Sequence, residues 1–194
     1  MGKMVFVVDM INAFGKKGFL CNPKLMDMVP LLHDFLENFE GEKVEARDGH
    51  TEDSLEFGEY PVHSLLGDYE SEGLDELKDV LSDAKVFYKN STNLLLVPGF
   101  IDYILERKPE SITVCGCCTD ICIMQYALAL KALFNQYNIP CEIIVYDNLV
   151  DTFDSPEHNR DYYHEAALNL MKNAGIKVKH YEKNKVIKKV GQNV

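Results

Sequence analysis

The chain has 194 residues, 46% apolar and 26% charged, which suits one globular domain spanning residues 1–194. A chain of this length withdraws about 70% of its unfolded surface from water, so it needs no disulfide or metal staple to fold. Its 31 acidic residues against 20 basic ones give a formal charge of −11, which argues against nucleic acid and anionic membrane surfaces as partners.

Met4–Val8 is a continuous apolar run ending at Asp9, as in a strand buried on both faces. It is too short for a signal peptide, and the chain has no apolar run of about 18 residues that would span a membrane, so the expected location is cytoplasmic. Pro23 to Phe39 carries apolar residues at helical spacing, with Asn22 as N-cap and Pro23 at the first helical position. Lys43–Arg47 is a shorter strand candidate ending at Asp48. Asp48–Gly73 has no period and is rich in Gly, Glu, Asp and His; a loop of such length is expected to be functional. Leu74–Leu81 reads as a short helix, Lys85–Tyr88 as a strand, and Pro98–Arg107 as a helix with Pro at its start. Then come a strand at Ser111–Cys117, a helix over Thr119–Tyr137, a strand at Cys141–Tyr146, a helix at Glu157–Asn173 closed by Gly175, and a last strand at Lys177–His180. Regular alternation predicts an α/β fold, one parallel sheet with helices on both faces. Ligands bind such sheets at the carboxyl ends of strands. That rule singles out Asp9, Asp48, Lys89, the Gly116–Cys122 turn and Asp147.

Cys122 falls in the first turn of the helix that Thr119 or Asp120 can cap. There the unpaired N–H groups and the macrodipole favour a thiolate and can hold an oxyanion. Its plain alternative is a small buried hydrophobe. Asp9 at a strand end can accept a thiol proton and return it to a leaving group, or simply cap a turn. Lys89 in the same setting would favour carboxylate and thiolate together, unless it is a solvated surface lysine. Asp48, His50 and His63 supply two imidazoles and a carboxylate, a donor set for zinc, iron or manganese, with Glu56 as a fourth candidate. His33, His158, His164 and His180 fall on helices or the last strand and read as structural or exposed. Four of the six cysteines crowd into Cys115–Cys122. A disulfide framework there is disfavoured, because neighbouring cysteines on a strand pair poorly. A zinc or iron–sulfur site is disfavoured too, because Cys115 and Cys117 share one strand face while Cys118 begins a turn. Cys115, Cys117, Cys21 and Cys141 read as small core residues.

These residues resemble the isochorismatase-like cysteine hydrolases. That family has an Asp after its first strand, a Lys after its third and a Gly-x-x-Thr-Asp-x-Cys turn, matched here by Asp9, Lys89 and Gly116–Cys122 from about Met4 to Tyr181. The resemblance implies a three-layer, six-stranded, mainly parallel sheet. Within the family, the nicotinamidases add Arg-Asp-x-His and Trp-Pro-x-His; this chain has Arg47-Asp48-Gly49-His50 and Tyr60-Pro61-Val62-His63. The likeness implies a divalent metal, zinc foremost and iron or manganese otherwise, on Asp48, His50 and His63, with Glu56 resembling a further ligand. It implies a ring pocket at Phe14 and Tyr60 beside Cys117, with oxyanion donors at Cys118 and Cys122, and places a cis peptide between Cys117 and Cys118. The implied activity is hydrolysis of nicotinamide to nicotinic acid and ammonia through a thioester, by a homo-oligomer. Tyr60 in place of Trp, and Ser64–Glu70 in place of Cys-x-x-Gly-Thr-x-Gly, depart from the pattern. They keep open another small amide, such as a ureido or N-carbamoyl compound. A non-catalytic binding protein on this fold would lack one of Asp9, Lys89 or Cys122, and all three are present.

Overall fold

The computed structural model describes residues 2–183. Its strands are β1 (Lys3–Val8), β2 (Glu42–Asp48), β3 (Lys85–Lys89), β4 (Ser111–Cys117), β5 (Glu142–Asp151) and β6 (Lys177–Lys179). They form one sheet in the order β3-β2-β1-β4-β5-β6, with every neighbouring pair parallel. The helices are α1 (Asn12–Gly15), α2 (Val29–Glu37), α3 (Phe100–Arg107), α4 (Met124–Gln136) and α5 (Arg160–Asn173). No helix among the described residues is long and apolar enough to cross a membrane.

Side-chain alternation along the strands sorts the core into two halves. Met4, Phe6, Val8, Val44, Ile112, Val114 and Val145 face α3, α4 and α5, meeting Phe100, Tyr126, Leu130 and Met171. Val5, Val7, Cys115 and Cys117 face the other way, onto Leu32, Phe35 and Leu36 of α2 and onto Leu74, Leu77 and Leu81. The result is the expected three-layer sandwich.

Several boundaries differ from the sequence reading, each for a local reason. The helix expected over Pro23–Phe39 is a 3-10 turn at Pro23–Asp27 followed by α2. Asn22 caps the turn by accepting from the Lys24 N–H. Pro30 lacks an N–H and crowds the preceding turn, so the helix restarts there. Leu74–Leu81 holds only a 3-10 turn at Asp75–Leu77; nearby, Ser82 donates its hydroxyl to the Asp79 carbonyl, the kind of local bond that competes with a helix. The chain enters α3 at Phe100, not at Pro98, through Gly99 with φ of 77°. The expected helix from Thr119 begins as a π-helical turn, Thr119–Ile123, before α4. Pairing between β4 and β5 shifts between Val114 and Gly116, so β5 runs on to Asp151. Asp147 is therefore inside the strand, not at its tip, and it pairs with His180 at 2.7 Å. His158 precedes α5 instead of lying on it, because Asn159 caps that helix through the Tyr162 N–H.

Gly116 closes the gap between β4 and β1. Its φ is 114°, and a Cβ there would sit 2.0 Å from the carbonyl oxygen of Val8. Gly116→Ala is expected to cost at least about 3 kcal/mol, from positive φ and overpacking together. A thermal melt should show the midpoint falling by roughly 10 °C. An unchanged midpoint would mean that the two strand tips can separate without penalty.

Candidate active site

Sheet order lines up the chemistry. Across β3, β2, β1 and β4 the carboxyl ends present Lys89, Asp48, Asp9 and the Cys117–Cys122 turn in succession. Lys89 pairs with Asp48 across the β2–β3 register. Its ammonium is buried and hydrogen-bonds Asp48 Oδ1. It lies 2.8 Å from Asp9 Oδ2 and 3.7 Å from Cys122 Sγ. The Asp48 N–H donates to Asp9 Oδ1 at 3.0 Å, and Asp9 leaves the strand with φ of 55°.

These charges set one another's protonation. Burial, then the charge of Asp48, pushes Asp9 up to about 7, against Lys89. Burial would also raise Asp48, but the charge of Lys89 and the neighbouring imidazole of His63 hold it down at about 2. Burial alone would lower Lys89; Asp48 and Asp9 outweigh it and hold Lys89 above its ordinary value. Burial pushes the Cys122 thiol up, and Lys89 only partly offsets this. The resting pair is thus a neutral thiol beside a carboxyl group poised near neutrality. Asp9 Oδ2 makes an ion-pair contact but no hydrogen bond, which leaves it able to accept a proton.

Cys118 occupies the N-cap position of the π turn, and the Cys117–Cys118 peptide is cis, as the resemblance implied. Neither Thr119 nor Asp120 caps the turn. The Thr119 hydroxyl pairs with His164 Nδ1 at 2.9 Å, and Asp120 binds Thr152 and His158. Cys115 and Cys117 are core residues whose thiols donate to the Phe6 and Asp9 carbonyls.

On the other side of Asp48, one donor atom each from Asp48, His50 and His63 lies within 4.8 Å of the others. His63 donates Nδ1–H to the Pro61 carbonyl at 2.8 Å. Asn90 Oδ1 accepts the Thr51 N–H, so His50 Nδ1, 3.2 Å away, donates to it as well. Each ring thereby turns Nε2 toward Asp48, at 3.7 and 3.8 Å. His50 Nε2 is buried and has no hydrogen-bond partner. Two imidazole nitrogens and a carboxylate around one point fit a small divalent cation better than they fit one another. Phe57 stacks edge-on against both rings.

A cavity of about 300 Å³ opens over these groups, lined by Asp9, Asp48, His63, Cys117, Cys118 and Cys122. Phe14 and Tyr60 line it and flank His63, with centroids 5.9 and 6.4 Å from its ring. Glu56 lines the same cavity from the 3-10 turn Leu55–Gly58 but lies outside the three-residue cluster. Burial and the charge of Asp48 raise its carboxyl. Cys21, read as a core residue, is half-buried in the cavity wall beside Asn22. Sequence reasoning missed Asn90, although it follows Lys89 at the same strand end. It also missed Thr152 and Phe153, because β5 was cut short.

The isochorismatase domain model matches residues 3–182. Nicotinamidase 1 of Arabidopsis thaliana is 30% identical over 141 residues, 61% of this chain and 58% of that protein. The chain thus aligns with little more than half the length of that curated relative. The crystal structure of a nicotinamidase from Bacillus subtilis is 26% identical, with a TM-score of 0.73 over 93% of this chain and all of that one. N-carbamoylsarcosine amidase from Thermoplasma acidophilum shares the fold, with a TM-score of 0.74 at 23% identity, over 93% of this chain and 96% of that one. The match over nearly the whole length, on a six-stranded parallel sheet, shows that this chain belongs to the isochorismatase family.

Proposed function

We propose that this protein is a cysteine amidohydrolase that converts nicotinamide to nicotinic acid and ammonia. The observation that carries the reading is the meeting of Asp9 and Cys122 in one cavity, with the Lys89 ammonium in contact with both, beside the Asp48, His50 and His63 cluster. Asp9 takes the proton of Cys122, and the sulfur attacks the carboxamide carbon. The N–H groups of Cys118 and Cys122 hold the oxyanion. Asp9 passes its proton to the departing nitrogen, which leaves as ammonia. Asp9 then deprotonates water, which cleaves the thioester, and the proton returns to sulfur. Lys89 stays protonated throughout and stabilises whichever of Asp9 and Cys122 carries charge. Phe14 and Tyr60 hold the ring between them.

Asp48, His50 and His63 would hold the cation, zinc foremost, with Glu56 near enough to the cavity to serve as an outer partner. When bound, it would accept the pyridine nitrogen lone pair, directly or through water, and so orient the ring.

The lining also bears on substrate charge. Among the described residues it includes Asp9, Asp48, Glu56 and Asp154, and no Lys or Arg. The nearby Lys89 already serves two carboxylates. A substrate with its own carboxylate, such as an N-carbamoyl amino acid, would meet these acidic side chains with no lysine or arginine in the lining to pair with it. A neutral aromatic amide meets none. Ureido compounds without a carboxylate remain in the substrate panel.

Ammonia release from nicotinamide should be robust in the wild type. It should fall by about a thousandfold or more in Cys122→Ala, which removes the nucleophile. Undiminished release by that variant would overturn the nucleophile; nicotinamide inert beside a turned-over ureido amide would overturn the substrate. Calorimetric titration with zinc should show one site. Asn90→Ala, which frees the His50 ring to turn, should weaken it about 10–100-fold. Equal affinity in the variant would mean that Asn90 does not orient the ligand.

A further inference from the structure

The loop between β5 and α5 forms one wall of the cavity through Thr152, Phe153, Asp154 and Ser155. The π turn contributes a neighbouring part of the lining through Ile121 and Cys122. A residue that lines neither joins them. The imidazole of His158 lies flat between the rings of Phe153 and Tyr163, with centroids at 3.9 and 4.0 Å and planes within 12° and 10°. Its Nδ1 is 3.0 Å from the Phe153 carbonyl oxygen, and its Nε2 is 2.7 Å from Asp120 Oδ2. Each ring nitrogen therefore faces an acceptor, an arrangement satisfied when the ring donates at both. Asp120 stands two residues before Cys122, and its other oxygen accepts the Thr152 hydroxyl at 2.6 Å. Backbone bonds between Ser155 and His158, 3.0 and 3.1 Å in the two directions, close the loop around the ring. The His158 side chain is only 14% exposed, so the pair with Asp120 is largely shielded from solvent.

We propose that His158 is a positioning residue that clamps the Phe153 wall of the substrate cavity to the π turn carrying the nucleophile. Phe153 offers one surface to the cavity and stacks the other on His158, so the imidazole decides where that aromatic wall stands. Asp120 keeps its bond to Thr152 when His158 is lost, so the turn and Cys122 stay in place while the wall loosens. The consequence falls on substrate binding, and it rests on the amide-hydrolase reading of the site.

Two variants separate the ring's roles. His158→Phe keeps both stacks and loses both polar contacts; His158→Gln keeps a donor for Asp120 and loses the stacks. In His158→Phe, KM for the amide substrate should rise about tenfold, most of it from the lost bond to the Asp120 carboxylate, with kcat within about twofold of wild type. His158→Gln should show a smaller rise. Hydrogen exchange followed by mass spectrometry should show faster exchange across residues 153–158 in His158→Phe, and unchanged exchange in β1 and β4. An unchanged KM, a loss confined to kcat, or unaltered exchange in the loop would each overturn the clamp. If the wild type hydrolyses no amide, the functional reading fails, whereas the exchange of the loop still decides whether His158 holds it.

Discussion

A lysine ammonium buried at the tip of an edge strand is the constraint around which this site is built. Lys89 is removed from water and would be costly there alone, by several kcal/mol. Asp48 and Asp9 compensate it, each from the end of the next strand inward. Those carboxylates are themselves buried and need the ammonium just as much. The three groups therefore stand or fall together, and they can do so only because parallel register brings the three strand ends level. Gly116 extends that alignment to β4, where any side chain would push the fourth tip away. Cys122 is thus placed by sheet geometry, and the electrostatics follow from the placement.

The long aperiodic segment after β2 shows how a loop is made rigid without regular structure. His50 and Leu65 form a parallel bridge, with His50 N–H donating to the Ser64 carbonyl and Leu66 N–H to the His50 carbonyl. Glu70 accepts the Ser64 N–H, and Asn12 of α1 donates to the Tyr69 carbonyl. Ile11 and Gly73 form a further bridge near the end of the segment. The chain leaves β2 with His50, loops out through Tyr60 and returns to set His63 beside it, the two rings 4.6 Å apart. The backbone bonds are paired with specific partners, which is what allows two imidazoles to be held with bare nitrogens facing one carboxylate.

Much of this was legible from residue patterns. Apolar runs ending in Asp9, Asp48 and Lys89 marked strand tips, and the rule for parallel sheets then placed the chemistry. The paired histidine motifs marked the cluster. What periodicity could not show were features set by pairing and by single backbone atoms. Pro30 sits in an apolar helical pattern that hides its missing N–H. The bulge opposite Val114–Gly116 lengthens β5 through pairing that apolar spacing does not encode. The π turn differs from an α turn by one residue of hydrogen-bond offset, Ile123 N–H reaching the Cys118 carbonyl at 3.1 Å, which leaves no compositional trace. The clamp at His158 escaped for a related reason: the residue read as a structural or exposed one on a helix, and only tertiary packing gives it two aromatic faces and an acid.

Asp48 is the member that both halves of the site share. One oxygen is committed to Lys89 and lies 3.7 Å from His50; the other faces His63 at 3.8 Å. Its charge is also the second cause, after burial, of the raised Asp9 carboxyl. A cation held by Asp48 and the two imidazoles would neutralise part of that charge and thereby relieve Asp9, so occupancy and acid–base balance are coupled through one side chain. Replacing Asp48 would therefore disturb Cys122, Lys89 and the cluster at once and could not assign any of them. His63 makes no contact with Lys89 or Cys122 among its hydrogen bonds and ion pairs. It is the position from which the proposed ring-orienting half can be separated from the proposed covalent half.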